Sequence, residues 1–176
     1  VIQSNMPLRK EYFDACPNLK MLSIAFTGLD HIDLAECKRR GIVVNNAAGY
    51  STEAVAEEVI CMMIGLYRHV IDNDKITRSC SRNALLPGRE IAGKTIGIIG
   101  MGAIGQRTAK LAQAFGCKVI AWNRTPKEVD GVEMVSKETL LREADIITLH
   151  IALNDETRNF ITAKEINIMK ESAIII

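Results

Sequence analysis

Thr95-Ile-Gly-Ile-Ile-Gly100-Met-Gly102-Ala-Ile-Gly105 decides how this chain is read. A short apolar strand, with Ile96, Ile98 and Ile99, runs into Gly-x-Gly-x-x-Gly, and the third glycine opens a helix. That is the context a dinucleotide pyrophosphate needs. Gly100 permits the tight turn. Gly102 removes the Cβ that would keep backbone from phosphate, and Gly105 lets the helix lie close on the strand. The phosphates then meet the free N–H groups and positive dipole end of that helix. The helix reads to Phe115 with Ile104, Leu111, Ala112 and Phe115 on one face, and Gly116 stops it. A second strand, Lys118–Trp122, follows. Strand, turn, helix and strand agree, so a dinucleotide site is favoured over a ligand-free structural turn.

The end of the second strand bears on which dinucleotide. An acid there would hold the adenosine ribose hydroxyls of NAD. This chain has Asn123-Arg124-Thr125, with Asn123 eighteen positions after Gly105. A carboxylate would repel a 2′-phosphate; its absence beside a guanidinium permits bidentate phosphate contact. The reading leans to NADP over NAD. The alternative stays open: Asn123 bonding the ribose of plain NAD, with Arg124 a solvated turn residue before Pro126.

The 176 residues carry net charge +1 and 48% hydrophobic residues, which fits a globular α/β chain with one domain and part of another. Near-neutral charge gives no reason to expect nucleic-acid binding. Cys16, Cys37, Cys61, Cys80 and Cys117 are odd in number and lack Cys-x-x-Cys spacing. They read as reduced, mostly buried thiols of a cytoplasmic protein. The apolar run at 55–66 is too short to span a bilayer and carries Glu57 and Glu58, so no membrane association is expected. No His/Cys/Asp/Glu cluster has metal-ligand spacing, so no metal is expected. The chain starts on Val1 in an apolar run and stops in Ala173–Ile176, which reads as strand; the expectation is a piece trimmed at both ends.

Along the chain, strands are expected at Val1–Gln3, Lys20–Ala25 and Ile42–Asn45, with helices at Leu8–Ala15 and Leu34–Arg40, the latter closed by Gly41. Strands alternating with helices imply parallel βαβ units. Ser51 or Thr52 caps a helix to His69 that is apolar nearly all round and so expected to be buried. Asp72–Gly93 reads as a connection. After Lys94 come the glycine-turn unit, a short strand near Val132–Val135, a helix from Ser136 to Glu143, and a strand at Asp145–His150. Thr162-x-x-Glu165 is a capping box opening a helix to Lys170, and Ala173–Ile176 is the last strand. The fold class is α/β: a Rossmann-type doubly wound parallel sheet plus part of a smaller α/β domain. The expected division is residues 1–49 (partial substrate domain), 50–93 (interdomain helix and connection) and 94–176 (dinucleotide domain).

Four motifs in their order and spacing resemble the D-isomer-specific 2-hydroxyacid dehydrogenases along nearly the whole chain. They are Thr27-Gly-Leu-Asp-His-Ile-Asp33, Asn46-Ala-Ala-Gly-Tyr-Ser-Thr52-Glu-Ala-Val-Ala-Glu57, Gly100–Gly105, and His150-Ile-Ala-Leu-Asn-Asp-Glu-Thr-Arg158. The Gly-Tyr-Ser-Thr form of the second is most similar to the glycerate dehydrogenase/hydroxypyruvate reductase group. The resemblance implies a flavodoxin-like smaller domain, a substrate cleft between two domains, and hydride transfer between a nicotinamide and C2 of a small 2-hydroxy or 2-oxo acid. It implies that backbone N–H groups at Thr27 and Gly28 bind the substrate carboxylate and that Thr27 also reaches the cofactor. It places Thr52 near the nicotinamide, Ala103 and Ile104 on the pyrophosphate, and His150, Ile151 and Thr157 at the ribose rim. It implies a homodimer with the Ser51–His69 helix near the interface. Ala152 departs from the family's usual proline, which should loosen that loop. The family's carbonyl-binding Arg and its His–Glu proton donor match no residue of this chain, so no catalytic residue is assigned. A non-catalytic dinucleotide-binding module, or a corepressor-like Rossmann protein, is the rival.

Three histidines could be mistaken for the missing chemistry. His31 reads as a loop-surface or cap residue. His69 reads as a cation at a helix end. His150 ends a strand at the ligand edge, with cofactor contact and plain packing both open. Lys38-Arg39-Arg40 reads as a helix end facing its own carbonyls, and Trp122 as sheet core.

Overall fold

The computed structural model describes residues 6–80, 84–125 and 127–176, and the strand expected at Val1–Gln3 lies outside them. Two compact units are present: Val1–Ser51 with Ala152–Arg158, and Thr52–Ile151 with Asn159–Ile176. Residues 52–93, read from sequence as the connection, thus group with the second unit.

The first unit holds α1 (Lys10–Ala15), β1 (Met21–Ile24), α2 (Leu34–Arg39) and β2 (Val43–Asn46). β1 and β2 pair in parallel, Met21 opposite Val43 and Ile24 opposite Asn46. Leu22, Ile24, Phe13, Cys37 and Ile42 form the core. α1 starts two residues later than expected, because Leu8 makes a β-bridge to Ile32: its N–H donates to the His31 carbonyl at 2.8 Å. α2 starts at Asp33, whose carboxylate accepts from the Glu36 N–H at 2.9 Å. At its end, Arg39 and Arg40 pair with the Glu36 carboxylate, and Arg40 also reaches Asp14. Arg39 and Arg40 are therefore engaged by acids rather than by helix carbonyls.

The second unit begins with α3 (Thr52–Tyr67) and α4 (Val70–Arg78). α3 departs from its expected all-round burial: Ala56, Val59, Ile60, Met63 and Tyr67 are buried, but Val55, Met62 and Leu66 are exposed. α4 occupies ground read as connection. His69, at φ +52°, breaks α3 and becomes the N-cap of α4, where it faces Asp72 at 3.9 Å. It therefore stands at a helix start, the opposite end to the one expected.

There follow β3 (Thr95–Ile99), α5 (Ala103–Ala114), β4 (Lys118–Trp122), β5 (Glu133–Met134), α6 (Lys137–Glu143), β6 (Ile146–Leu149), α7 (Ala163–Ile166) and β7 (Ile174–Ile175). The sheet order is β5-β4-β3-β6-β7, all parallel. Counted from β3, this is order 3-2-1-4-5, the Rossmann arrangement. Alternation along the strands separates two cores. Ile96, Ile98, Val119, Ala121 and Ile146 pack with α3 and α5. Ile99, Ile120 and Ile147 pack with Leu140, Leu141 and Ala144 of α6. Each such buried aliphatic side chain is worth about 1.5–3 kcal/mol relative to exposure.

The buried stripe of α5 is Gly105, Thr108, Ala109 and Ala112, whereas Phe115 is exposed. Small residues let α5 approach its neighbours closely; of the expected face, Ala112 is buried and Leu111 packs against the core, and Phe115 alone is exposed. α6 begins at Ser136, whose hydroxyl accepts from the Thr139 N–H. The Thr162–Glu165 capping box is complete, but α7 is only one turn long. Of the five thiols, all unpaired, only Cys37 and Cys117 are buried; Cys16, Cys61 and Cys80 are exposed, against the expectation of mostly buried cysteines. Among the described residues, no helix is long and apolar enough to cross a membrane, and no group of three His, Cys, Asp or Glu could hold a metal ion.

Candidate functional site

In the second unit, strand order reverses between β3 and β6, and at such a switch point the carboxyl ends of the strands leave a ligand crevice. Gly100 lies there with φ +100°, a conformation that disfavours other residues, and a Cβ on it would sit 2.6 Å from the His150 carbonyl oxygen. Gly102 is the N-cap of α5 and no side chain caps that helix. A Cβ on Gly102 would meet nothing within 4 Å, so the space over the helix start is open. A Cβ on Gly105 would lie 2.0 Å from the Gly100 carbonyl oxygen. Here the glycine keeps helix against turn. The result is a cradle: uncapped first-turn N–H groups at Ala103, Ile104 and Gly105, a positive dipole end, and room that only a glycine leaves. Its donors fit a pyrophosphate in number, charge and access.

Residues from the end of β4 reach back to this turn. Asn123 Oδ1 accepts from the Met101 N–H at 3.0 Å, and Asn123 Nδ2 donates to the Thr125 carbonyl at 2.8 Å. Lys127 Nζ donates to the Met101 carbonyl at 3.3 Å, and Gln106 Nε2 donates to the same oxygen at 3.1 Å. Asn123 is thus committed to backbone on both sides of its amide. Arg124 and Thr125 are exposed beside it. Trp122 packs on Phe160, centroids 5.3 Å apart, within the α6 face of the sheet.

His150 follows β6, its N–H donating to the Ile99 carbonyl at 2.7 Å. Its Nε2 lies 3.2 Å from Thr148 Oγ1, and burial pushes its pKa below the ordinary histidine value. A neutral imidazole is therefore favoured at neutral pH. Ile151 Cγ2 lies 3.0 Å from where a Gly100 Cβ would stand, so His150 and Ile151 do border the glycine turn. Thr52 is the first residue of α3.

The first unit carries Thr27, Gly28 and Thr157. Thr27 and Gly28 are exposed, and among the described residues nothing accepts from their N–H groups. The loop is held from behind: Asn46 Nδ2 donates to the Thr27 carbonyl at 2.7 Å, and the Ala47 N–H donates to the Phe26 carbonyl at 3.1 Å. With Phe26, Asp30, His31, Tyr50 and Ser51 these residues line a concavity of about 370 Å³. His31 is buried, not on the surface as expected, and its Nε2 has no partner among the described residues. Thr157 Oγ1 donates to the Ala152 carbonyl at 2.6 Å and accepts from the Asn154 N–H at 2.9 Å. Ala152, read as a loosening residue, is thereby tied across its loop.

The sequence profile of the D-isomer specific 2-hydroxyacid dehydrogenase NAD binding domain matches residues 60–176. A glyoxylate reductase of Thermococcus litoralis is 38% identical over 95% of this chain and 54% of its own length. A hydroxypyruvate reductase of Thermotoga maritima is 38% identical over 100% of this chain and 58% of its own. The chain thus spans about half the length of the curated relatives it matches. Among solved structures, an acyclic imino acid reductase in complex with NADPH and D-Arg has TM-score 0.90 at 35% identity, covering 97% of this chain and 56% of that one. The Aquifex aeolicus D-lactate dehydrogenase complexed with NAD and lactic acid has TM-score 0.89 at 32% identity, covering 96% and 52%.

Proposed function

The chain belongs to the D-isomer-specific 2-hydroxyacid dehydrogenase family, and from that premise we propose that the protein is an oxidoreductase moving a hydride between a nicotinamide dinucleotide and a small 2-oxo or 2-hydroxy acid. The observation that carries this reading is the open cradle at the start of α5, where Gly102 leaves space and no side chain caps the helix. The bound nicotinamide supplies or accepts the hydride. This chain's own residues bind and orient. Ala103, Ile104 and Gly105 hold the pyrophosphate by N–H donation, with His150 and Ile151 at the rim and Thr52 toward the nicotinamide. The N–H groups of Thr27 and Gly28 hold the substrate carboxylate; an anion accepting two backbone N–H bonds gains about 1.5–3 kcal/mol from each. His150 is given no proton-transfer role; its Nε2 is engaged by Thr148 Oγ1 at 3.2 Å.

For the adenosine end we propose NADP over NAD: no carboxylate stands at position 123, and the neighbouring Arg124 guanidinium is a residue type that binds a 2′-phosphate in bidentate fashion. The similar structures hold NADPH in one case and NAD in the other, so likeness does not choose. The same reading makes the protein a cytoplasmic homodimer with α3 near its interface and no nucleic-acid partner; exposed Met62 and Leu66 support the helix face as a contact. The test is NADPH and NADH oxidation by the intact protein offered glyoxylate, hydroxypyruvate and pyruvate. Turnover with one of these supports the reading. Cofactor binding without turnover on any 2-oxo acid favours the non-catalytic module instead.

A further inference from the structure

We infer that Lys127 is a second cationic determinant of the cofactor's adenosine phosphate, held in place by the glycine turn itself. The inference rests on the proposed NADP preference and extends it to a residue that no motif marks. Two side chains from the segment after β4 bracket one residue of the turn: Asn123 Oδ1 takes the Met101 N–H at 3.0 Å, and Lys127 Nζ gives to the Met101 carbonyl at 3.3 Å. In a Rossmann domain the Asn123 position is where an acid meets the ribose 2′-hydroxyl. The bracket therefore holds the Lys127 ammonium within one residue's backbone of that position.

A lysine ammonium has three donors, and the Met101 carbonyl uses one. Gln106 Nε2 also donates to that oxygen at 3.1 Å, so the carbonyl remains satisfied if Lys127 turns toward an anion. Asn123 stands where an acid could compete at close range, and among the described residues the Lys127 ammonium is bonded to the Met101 carbonyl and not to a carboxylate. An exposed lysine with no carboxylate to hold it would ordinarily wander through solvent. Here it is drawn back over the turn, which raises its local presence where a 2′-phosphate lies and costs less ordering when that phosphate arrives.

Arg124 and Lys127 then divide the work: the guanidinium can bind in a planar, bidentate manner, while the ammonium adds a compact charge. The experiment measures dissociation constants of NADPH, NADH, 2′,5′-ADP and 5′-AMP by calorimetry on the intact protein, for wild type, Lys127→Ala, Lys127→Arg and Arg124→Ala, each checked for an unchanged melting profile. Lys127→Ala is expected to weaken NADPH and 2′,5′-ADP about tenfold, the size of one charge-assisted contact, to leave NADH and 5′-AMP within about twofold, and to be rescued by Lys127→Arg. Equal loss for all four ligands would make Lys127 a brace of the turn only and overturn the inference. Unchanged 2′,5′-ADP affinity in Lys127→Ala, with a loss in Arg124→Ala, would overturn the inference while leaving the NADP reading standing. No selective loss in either variant would overturn both.

Discussion

Replacing Gly102 by valine separates folding from cofactor binding. Gly102 has φ −71° and ψ −167°, extended backbone that valine adopts readily, and its added Cβ would meet no atom within 4 Å. The stability cost is that of a poor N-cap, about 0.5–1 kcal/mol, or about 1–4 °C in melting temperature for a chain of this size. The same isopropyl group fills the space over the Ala103 and Ile104 N–H groups. Loss of two hydrogen bonds to a charged pyrophosphate, about 1.5–3 kcal/mol each, amounts to about 3–6 kcal/mol, or roughly 10²- to 10⁴-fold in affinity. Circular dichroism melting and calorimetric titration with NADPH and NADH measure both effects. A folded Gly102→Val that binds either dinucleotide within twofold of wild type would refute the placement of the pyrophosphate. Gly105→Ala is the converse: its Cβ would stand 2.0 Å from the Gly100 carbonyl, so it should lose more than about 3 kcal/mol of stability before binding is considered.

Gly97→Ala should destabilise by about 1–3 kcal/mol, since its Cβ would lie 2.6 Å from Leu140 Cδ2 and 2.9 Å from the Ala144 Cβ; urea unfolding with unchanged m but a lower midpoint is the expected result. Acid should lower the protein's stability modestly through its paired, solvent-screened carboxylates. Lys10 and Arg40 hold Asp14, Arg39 and Arg40 hold Glu36, and Thr162 and Lys137 hold Glu165, each with a pKa down to about 2. Their folded values lie below the unfolded ones, so their contribution is present above about pH 4.5 and is lost as pH falls toward 2; a melting temperature flat across that range would contradict it. The His150 pKa, lowered by burial, has the same sign, its contribution falling away below the ordinary histidine value. His150→Gln should flatten that part of the stability–pH curve, below about pH 6.5.

Much of this was legible because local chemistry and tertiary need agreed. α6 could be bounded by Ser136 at one end and placed by Leu140 and Leu141, which the structure buries. β4 matched its expected span because an apolar run stood between Gly116 and the polar Asn123. α4 escaped notice because it buries no residue. It is held instead by an i,i+4 pair, Asp74–Arg78, and by Asn73, whose side chain bonds the Leu86 backbone in both directions. The inner face of α5 was legible at Ala112 and Leu111 but not at Phe115, which is exposed, because close packing there selects the small residues Gly105, Thr108 and Ala109. At the site, the glycines announce themselves by spacing, since each answers a steric demand within a few residues. The bracket of Asn123 and Lys127 on Met101 does not, because it joins residues more than twenty positions apart. His31 likewise sits in a polar motif, and only the packing of the first unit buries it.

The most direct test is a crystal structure of the intact protein with NADPH bound. The pyrophosphate oxygens should lie within about 3 Å of the Ala103 and Ile104 nitrogens, over the open side of Gly102, with the 2′-phosphate between Arg124 and Lys127 and Asn123 still bonded to Met101. A dinucleotide bound elsewhere, leaving the first-turn N–H groups of α5 to water, would contradict the account.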